Sequence, residues 1–230
     1  MQKEVHKANS RGISDHGWLS SRFSFSFADW YQPLRMGFGA LRVLNDDTIA
    51  PESGFPPHSH KDMEIITIVT EGAVTHTDSM GNSFEVPDGD VQVMTAGTGV
   101  THSEFNERRT PLALFQIWIL PKEKSAVPKY AQKAFGNNRE ILLVSPDGRD
   151  GSLQILQDAY ITKVTLQAEE TYTYFVKEKN AGVYVFLVRG GLRVCDETLE
   201  ERDALGIWEV DEVDSVALGD AELLLIEVPK

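Results

Sequence analysis

The chain has 230 residues, of which 41% are hydrophobic and 25% charged, a balance typical of folded globular proteins rather than disordered or membrane-embedded ones. Its net charge of −13 argues against direct nucleic-acid binding, which requires clustered Lys and Arg. No apolar run approaches the ~20 residues of a membrane-spanning helix, and residues 1–10 do not resemble a signal peptide. Cys195 is the only cysteine, so no intrachain disulfide can form, and we expect a cytoplasmic protein without membrane partners.

The first half of the chain has the pattern of strands. Phe23, Phe25 and Phe27 alternate, so we expect them on one face of an N-terminal strand, packed in the core, with a cavity wall as the alternative. Residues 79–82 and 87–90 supply Gly, Asn and Asp and predict chain reversals. Short apolar or alternating runs, typical of an all-β fold, occupy residues 40–45, 64–70, 73–79, 91–95 and 112–120.

The second half repeats this pattern after an interruption. Residues 121–128 contain two prolines and three charged side chains, and we place a domain boundary near residue 125. In residues 129–135 we expect at most a short turn of helix. Further strand-like runs occupy residues 152–157, 159–167, 171–177, 182–189, 191–195, 204–209 and 221–229. The sequence therefore predicts two β-barrels, residues 1–125 and residues 126–230.

Two Gly-flanked segments contain three of the six histidines. His58 and His60 are two residues apart, and His102 and Glu104 repeat that spacing. Because alternate strand residues face the same side, each pair points to one side of its strand. Two such strands side by side in a barrel would bring all four groups together. Three imidazoles and one carboxylate suit a divalent Fe, Mn, Co, Ni, Cu or Zn ion, so we predict a site for one transition metal.

Other residues near these segments leave alternatives open. Lys61 should face away from the paired histidines, towards the surface or rim. Gln116 and Trp118 share a strand face and either line a cavity or fill the barrel. His76 and Asp78 also share a face, and they form either a hydrogen bond behind a ligand histidine or an ordinary surface pair.

The two segments resemble the two cupin motifs, with departures in spacing and with Gly97 where many cupins have Pro. The Gly54-Phe-x-x-His58-x-His60 opening and the Thr95-Ala-Gly-x-Gly-x-x-His102-Ser-Glu104 signature are similar to those of the pirin family. The resemblance also extends through residues 18–31, 41–47, 76–82 and 144–153, so it covers most of the chain. The matching motif positions are Gly54, His58, His60, Glu64 and Gly72 in the first motif, and Gly89, Gly99, His102 and Asn106 in the second.

The resemblance implies two tandem cupin (jelly-roll) barrels, of which only the first keeps a metal. The sequence agrees, because no histidine follows His102. In pirin-like proteins the carboxylate ligand comes from the second motif, here Glu104, rather than from the position of Glu64. Glu64 follows His60 by four residues, about 13 Å along a strand at ~3.3 Å per residue, which is too far for direct ligation without a bend.

Members of the pirin family are associated with quercetin 2,3-dioxygenase activity, so the resemblance implies an O₂-dependent cleavage of a flavonol with release of carbon monoxide. We expect Fe(II) as the metal, with Zn, Ni, Co, Mn and Cu as alternatives. Glu104 is the predicted catalytic base, which takes the proton of the flavonol 3-hydroxyl. We expect a monomer. The alternative is a non-enzymatic metal-binding or redox-sensing regulatory protein that acts through a protein partner.

Overall fold

The computed structural model describes all 230 residues and consists of strands with two short 3₁₀ helices at Ala8–Ser10 and Arg149–Gly151. No helix in this structure has the length and apolar composition needed to cross a lipid bilayer. In chain order, the strands are β1 (Gln2–His6), β2 (Gly12–Asp15), β3 (Leu19–Phe23), β4 (Leu41–Ile49), β5 (Ser53–His60), β6 (Glu64–Glu71), β7 (Ala73–Asp78), β8 (Ser83–Pro87), β9 (Asp90–Thr95), β10 (Val100–Asn106), β11 (Leu112–Ile119), β12 (Lys129–Ala134), β13 (Glu140–Ser145), β14 (Leu153–Gln154), β15 (Tyr160–Leu166), β16 (Thr171–Phe175), β17 (Ala181–Arg189), β18 (Gly191–Val194), β19 (Glu197–Glu200), β20 (Ala204–Trp208), β21 (Glu212–Ala217) and β22 (Ala221–Pro229).

These strands form two barrels, each made of one seven-stranded and one four-stranded sheet. The N-terminal barrel has the orders β12-β9-β6-β11-β4-β3-β2 and β5-β10-β7-β8. The C-terminal barrel has the orders β1-β20-β17-β22-β15-β13-β14 and β16-β21-β18-β19. The nine strands from β3 to β11 and the corresponding strands β13 and β15 to β22 follow the same path along the chain, and only the outermost strands of the large sheets differ. The predicted all-β fold of two tandem cupin barrels is confirmed.

The two halves of the chain exchange one strand each. β1 pairs with β20 and so extends the large sheet of the C-terminal barrel. β12 pairs with β9 and extends the large sheet of the N-terminal barrel. The expected turn of helix in residues 129–135 is therefore wrong, because the chain is held there as a strand by pairing with β9. The domain boundary near residue 125 stays a prediction. β1, before this boundary, and β12, after it, each pair with the barrel formed by the other half of the chain.

Both faces of the central strands of each large sheet are buried, which explains why these strands are almost continuously apolar. Along β6, Ile66 and Ile68 face the other barrel, whereas Ile65 and Thr67 point into the N-terminal barrel. The largest apolar cluster, 25 buried residues, contains side chains from both large sheets and joins the barrels. Inside the C-terminal barrel lies a second cluster of 17 residues, while the N-terminal barrel holds clusters of seven and three. The remaining interior of the N-terminal barrel is polar.

Candidate metal centre

Strands β5 and β10 lie side by side in the small sheet of the N-terminal barrel and contain all four predicted ligands. His102 is paired directly with His58, and His60 is the next residue on the same face of β5. The following pair is Glu104 with Phe55, so β5 contains one residue more than β10 between the two pairs. This extra residue is a β-bulge, a distortion common beside functional sites.

The residues before His58 allow this geometry. Pro56 and Pro57 lie at the bulge, and neither can donate a backbone hydrogen bond. They are tolerated because β5 is the edge strand of its sheet. A Cβ atom at Gly54 would lie 2.3 Å from the backbone oxygen of Glu104, so this position requires glycine for the close approach of β5 to β10.

The three histidine rings converge. The ring centroid of His58 lies 4.9 Å from that of His60 and 4.5 Å from that of His102, and the last two are 5.0 Å apart. One ring nitrogen of each lies within 4.8 Å of the other two. His58 Nδ1 lies 2.8 Å from the carbonyl oxygen of Pro56, so it donates there and leaves Nε2 with a free lone pair. His102 Nε2 is buried without a hydrogen-bond partner. Buried lone pairs of this kind fit a divalent transition metal.

His76 and Asp78 form a buried pair behind His102. His76 Nε2 donates to Asp78 Oδ2 at 3.0 Å, and His76 Nδ1 lies 3.5 Å from His102 Nδ1. With its Nε2 protonated, His76 accepts at Nδ1, so His102 carries its proton on Nδ1 and keeps Nε2 bare. The side chains of His76 and Asp78 are shielded from solvent. The alternative of an ordinary surface pair is therefore wrong, and the pair forms a hydrogen bond behind His102. The ligand atoms of His76, His102 and Glu104 form a second group within 4.8 Å.

Glu104 is buried and accepts hydrogen bonds from three uncharged side chains. Thr67 Oγ1 at 3.1 Å and Gln92 Nε2 at 2.6 Å donate to Oε1, and Gln116 Nε2 donates to Oε2 at 2.8 Å. A carboxylate oxygen has two lone-pair sites, so Oε1 is fully used when Thr67 donates to it rather than to Gln116 Oε1, which also lies at 3.1 Å, and Oε2 retains one site. Oε2 is therefore the oxygen that a metal ion or a proton can reach.

Tyr130 connects the site to the exchanged strand β12. Its ring stacks on His76 with centroids 4.4 Å apart. Its hydroxyl lies between two amide oxygens, 3.0 Å from Gln92 Oε1 and 2.7 Å from Gln132 Oε1. Burial, and then the charge of Glu104, raises the pKa of Tyr130, so the phenol keeps its proton and donates. A residue from beyond the predicted boundary thus supports Glu104 through Gln92 and His102 through His76.

The site opens into a cavity of about 310 Å³. Gln116 and Trp118 line it, and the Trp118 ring lies 4.9 Å from that of His60. Of the two alternatives for this pair, the cavity lining is the one observed. The other lining residues are the apolar Trp18, Leu19, Phe23, Phe27, Ala28, Phe55 and Ile65 and the polar Ser14, His16, Ser21, Asn45 and Asp47.

The three alternating phenylalanines have different surroundings. β3 ends at Phe23, so the following residues do not continue its alternation. Phe23 and Phe27 line the cavity, whereas Phe25 packs between the barrels with its ring 5.3 Å from that of Tyr184. The prediction that all three share one strand face is therefore wrong. Phe23 and Phe27 form part of the cavity wall, which was the alternative, and Phe25 packs in the core.

Burial sets the protonation of the site. It lowers the pKa of His60 to about 4, with a further contribution from His58, and that of His102 to about 3, with further contributions from the neighbouring histidines. Burial raises the pKa of Glu104, and it raises that of Asp47 to about 7. The imidazoles of His60 and His102 are therefore neutral at pH 7 and can donate lone pairs, and a bound cation would stabilise the charged form of Glu104.

Two residues close to the first motif in sequence lie outside this site. Glu64 is buried on the face of β6 that carries Ile66, and it accepts a hydrogen bond from Thr95 Oγ1 at 2.7 Å. Lys61 follows the end of β5 and is exposed.

Sequence reasoning missed the donors around Glu104. Thr67 and Gln92 stand at inward positions of apolar strands, so their polarity at a core position was the available signal. Tyr130 gave no comparable signal, because its role depends on the strand exchange.

Comparisons with known proteins agree with this geometry. The pirin family model matches residues 4–119, and the model of the quercetinase C-terminal cupin domain matches residues 142–228. A quercetin 2,3-dioxygenase from Escherichia coli K12 is 44% identical over 227 residues, which cover 98% of each chain. A putative quercetin 2,3-dioxygenase from Pseudomonas aeruginosa is 45% identical over 94% of this chain and 95% of its own length.

A solved structure extends the likeness to three dimensions. The crystal structure of the bacterial pirin YhhW from Escherichia coli in complex with nickel(II) superposes with a TM-score of 0.95 at 43% identity and covers 99% of both chains. Family model, full-length relatives and fold agree with the two motifs, and the chain belongs to the pirin family.

Proposed function

We propose that this protein is a metal-dependent dioxygenase of the pirin type, which cleaves a flavonol such as quercetin with O₂ and releases carbon monoxide. The observation that carries the proposal is an aromatic-lined cavity whose wall contains three converging histidines, His58, His60 and His102, and the buried carboxylate of Glu104. Relatives of full length at 44% and 45% identity that are named quercetin 2,3-dioxygenase and putative quercetin 2,3-dioxygenase support the choice of reaction.

The proposed ligands of one divalent metal are His58, His60, His102 and Glu104, with Nε2 of His102 and Oε2 of Glu104 as the free atoms identified above. We propose Fe(II), because the reaction uses O₂; the nickel(II) complex of YhhW supports a site of the same type for other divalent ions. When bound, the metal supplies a Lewis acid that acidifies the flavonol 3-hydroxyl and a centre that promotes its reaction with O₂.

The cavity wall holds the substrate. Phe23, Phe27, Phe55 and Trp118 offer aromatic surfaces to a planar flavonol. They exclude water from the reacting carbons, which strengthens the electrostatic interactions at the 3-hydroxyl.

Glu104 receives the 3-hydroxyl proton at Oε2. Burial raises its pKa, which favours a base, whereas a nearby cation opposes that effect. Because Oε2 has one free lone-pair site, Glu104 serves in turn as ligand before the substrate arrives and as base afterwards. Gln116, Thr67 and Gln92 hold the carboxylate in place during this exchange.

The overall reaction balances without another reductant. One oxygen atom of O₂ is added at C2 and the other at C4 of the flavonol, and the C2–C3 and C3–C4 bonds break. C3 leaves with its own oxygen as carbon monoxide. The proton held by Glu104 returns to the carboxylate of the ester product, so the residue is restored.

Quercetin consumption and carbon monoxide release under O₂ test the proposal in protein reconstituted with Fe(II), Ni(II) or Cu(II). We expect equal amounts of both in the wild type and a loss of at least ~100-fold in Glu104→Gln, as for removal of a general base. The matched control is Glu64→Gln, a buried carboxylate outside the site, which should retain turnover.

Equal turnover in wild type and Glu104→Gln would contradict the base role. Absence of turnover with every metal would contradict the dioxygenase and favour the regulatory alternative, for which partner binding should differ between Fe(II) and Fe(III) forms.

A further inference from the structure

The wall of the cavity formed by β4 contains two polar side chains with unsatisfied atoms. Asn45 and Asp47 are each 3% exposed, and both line the cavity that contains the histidines. Oδ1 of each has no hydrogen-bond partner. Buried polar groups normally find a partner within the protein, so two such atoms in one cavity point to partners that a ligand supplies.

The register of the large sheet explains why both side chains face the cavity. Asn45 is paired with Gln116, which contacts Glu104, and Asp47 is paired with Ser21, another lining residue. Because residues two apart on a strand share a face, Asn45 and Asp47 point the same way. The histidines lie on the small sheet, so the cavity has ligands of a metal on one sheet and free polar atoms on the other.

The chemistry of this wall selects a class of ligand. Carboxyl and amide oxygens accept hydrogen bonds, and hydroxyl groups on an aromatic ring are suitable donors. The neighbouring surfaces are aromatic, notably Phe23, Phe27 and Phe55. A planar polyhydroxylated aromatic satisfies both features, whereas an aromatic without hydroxyls would leave Oδ1 of Asn45 and Oδ1 of Asp47 unpaired.

We propose that Asn45 and Asp47 form a specificity subsite, which recognises hydroxyl groups on the part of the flavonol that does not contact the metal. The inference rests on the proposed function and restricts the range of substrates. Flavonols with hydroxyls on their outer rings bind more tightly than 3-hydroxyflavone, which has none there. A site that hydrogen-bonds a substrate hydroxyl discriminates against the analogue that lacks it, because its own polar groups are then left unpaired.

Equilibrium binding without O₂ tests the subsite separately from turnover. Quercetin and 3-hydroxyflavone share the 3-hydroxyl, but only quercetin carries hydroxyls on the other rings. We would titrate each into Ni(II)-loaded protein under nitrogen and follow flavonol absorbance and tryptophan fluorescence. The wild type should prefer quercetin by about tenfold or more, the effect of one or two hydrogen bonds. Asn45→Leu and Asp47→Leu should each reduce that preference at least about threefold and change 3-hydroxyflavone affinity by less than about twofold.

Controls separate recognition from folding. Asp46→Asn changes a carboxylate on the opposite face of β4, where it contacts Arg11 and Arg202, and should leave the preference unchanged. The Leu variants should remain folded, because an apolar group of similar size replaces an unsatisfied polar one. Should Asp47→Leu fail to fold, Asp47→Ala, which also removes both acceptor oxygens, replaces it as the test variant and should reduce the preference in the same way.

Three results would overturn the subsite: no wild-type preference for quercetin, a preference retained in both variants, or no binding of either flavonol. Oxygen is then admitted to the wild-type complex. A preference for quercetin that depends on Asn45 and Asp47, without consumption of quercetin, would leave the subsite in place and contradict the proposed reaction.

Discussion

In both barrels the first two strands of the small sheet pair in antiparallel fashion, so each proposed ligand position of the N-terminal barrel can be matched with an inward position of the C-terminal barrel, although of these four strands only β5 contains a bulge. His102 pairs with His58 on β10 and β5, and Ser215 pairs with Tyr172 on β21 and β16. The neighbouring inward positions can be matched in the same way. The counterparts of His60, Glu104, His76 and Asp78 are then Tyr174, Ala217, Leu192 and Val194, respectively.

The large sheets differ in the same way. A row of three polar side chains crosses the N-terminal sheet beneath Glu104, and an apolar row paired in the same manner crosses the C-terminal sheet. The rows are Gln92, Thr67 and Gln116 in the first barrel, and Leu205, Val185 and Leu225 in the second.

One framework therefore carries two kinds of interior. In the C-terminal barrel the inward positions close into a continuous apolar core. In the N-terminal barrel the same positions hold a connected polar network, which is stable because nearly every donor and acceptor around Glu104 is paired. The comparison teaches that the fold itself does not determine the site; a few inward side chains do.

Replacing one residue of each row with its counterpart from the other barrel should have the largest effect on stability and on metal binding. Leu205→Gln buries an amide in the apolar core of the C-terminal barrel and should lower the free energy of unfolding by about 3–5 kcal/mol, from lost apolar burial and an unpaired polar group. The reciprocal Gln92→Leu should change stability much less and instead weaken metal binding by ~10–100-fold. Urea denaturation and metal titration measure these effects. Equal destabilisation by both changes would contradict the contrast between the interiors.

Removing a proposed metal ligand should have the next largest effect. His102→Ala should reduce metal affinity by more than ~100-fold, since even the hydrogen-bond partners of ligands contribute ~10–100-fold. Its counterpart Ser215→Ala in the C-terminal barrel should leave metal content unchanged. Elemental analysis of both variants after loading and desalting provides the measurement. Metal retained by His102→Ala would place the centre elsewhere.

Tyr130→Phe tests the contribution of the exchanged strand. It removes the hydroxyl beside Gln92 but keeps the ring that stacks on His76, so metal affinity should fall about tenfold, the lower end for outer hydrogen-bond partners. Competition with a chelator measures the change. Tyr172→Phe in the C-terminal barrel is the control and should have no effect on affinity. Unchanged affinity in Tyr130→Phe would show that β12 does not support the ligands.

The smallest effect concerns His6, a buried histidine that β1 brings to the C-terminal barrel. Its Nδ1 lies 2.9 Å from the Tyr184 hydroxyl, and burial, followed by the charges of Arg35 and Lys230, lowers its pKa to about 4. The unfolded chain binds this proton near pH 6.5 and the folded chain does not, so stability falls as pH drops from about 6.5 towards 4.

Between pH 7 and 5.5 this contribution is about 1 kcal/mol, and His6→Gln should remove it from the acid dependence of unfolding. An unchanged slope in His6→Gln would mean that His6 is not held neutral by the fold.

Much of the site followed from local spacing. His58, His60, His102 and Glu104 occur in pairs at the period of a strand, and their motifs identified the family before any contact was known. The alternation of apolar residues likewise predicted β4, β6, β11 and most of the second barrel. β5 has no such alternation, because prolines and histidines replace its apolar residues. Only the histidine motif indicated a strand there.

By itself, the sequence determined the class of fold, the number of barrels, the family and the candidate ligands, because each depends on residue type and short-range periodicity. Only the tertiary structure decided that β1 and β12 exchange sheets, that Tyr130 lies behind His76, and that Asn45 and Asp47 face the histidines. These features depend on which distant strands pair and in which register. A period of two residues says which side chains share a face, but not what that face meets.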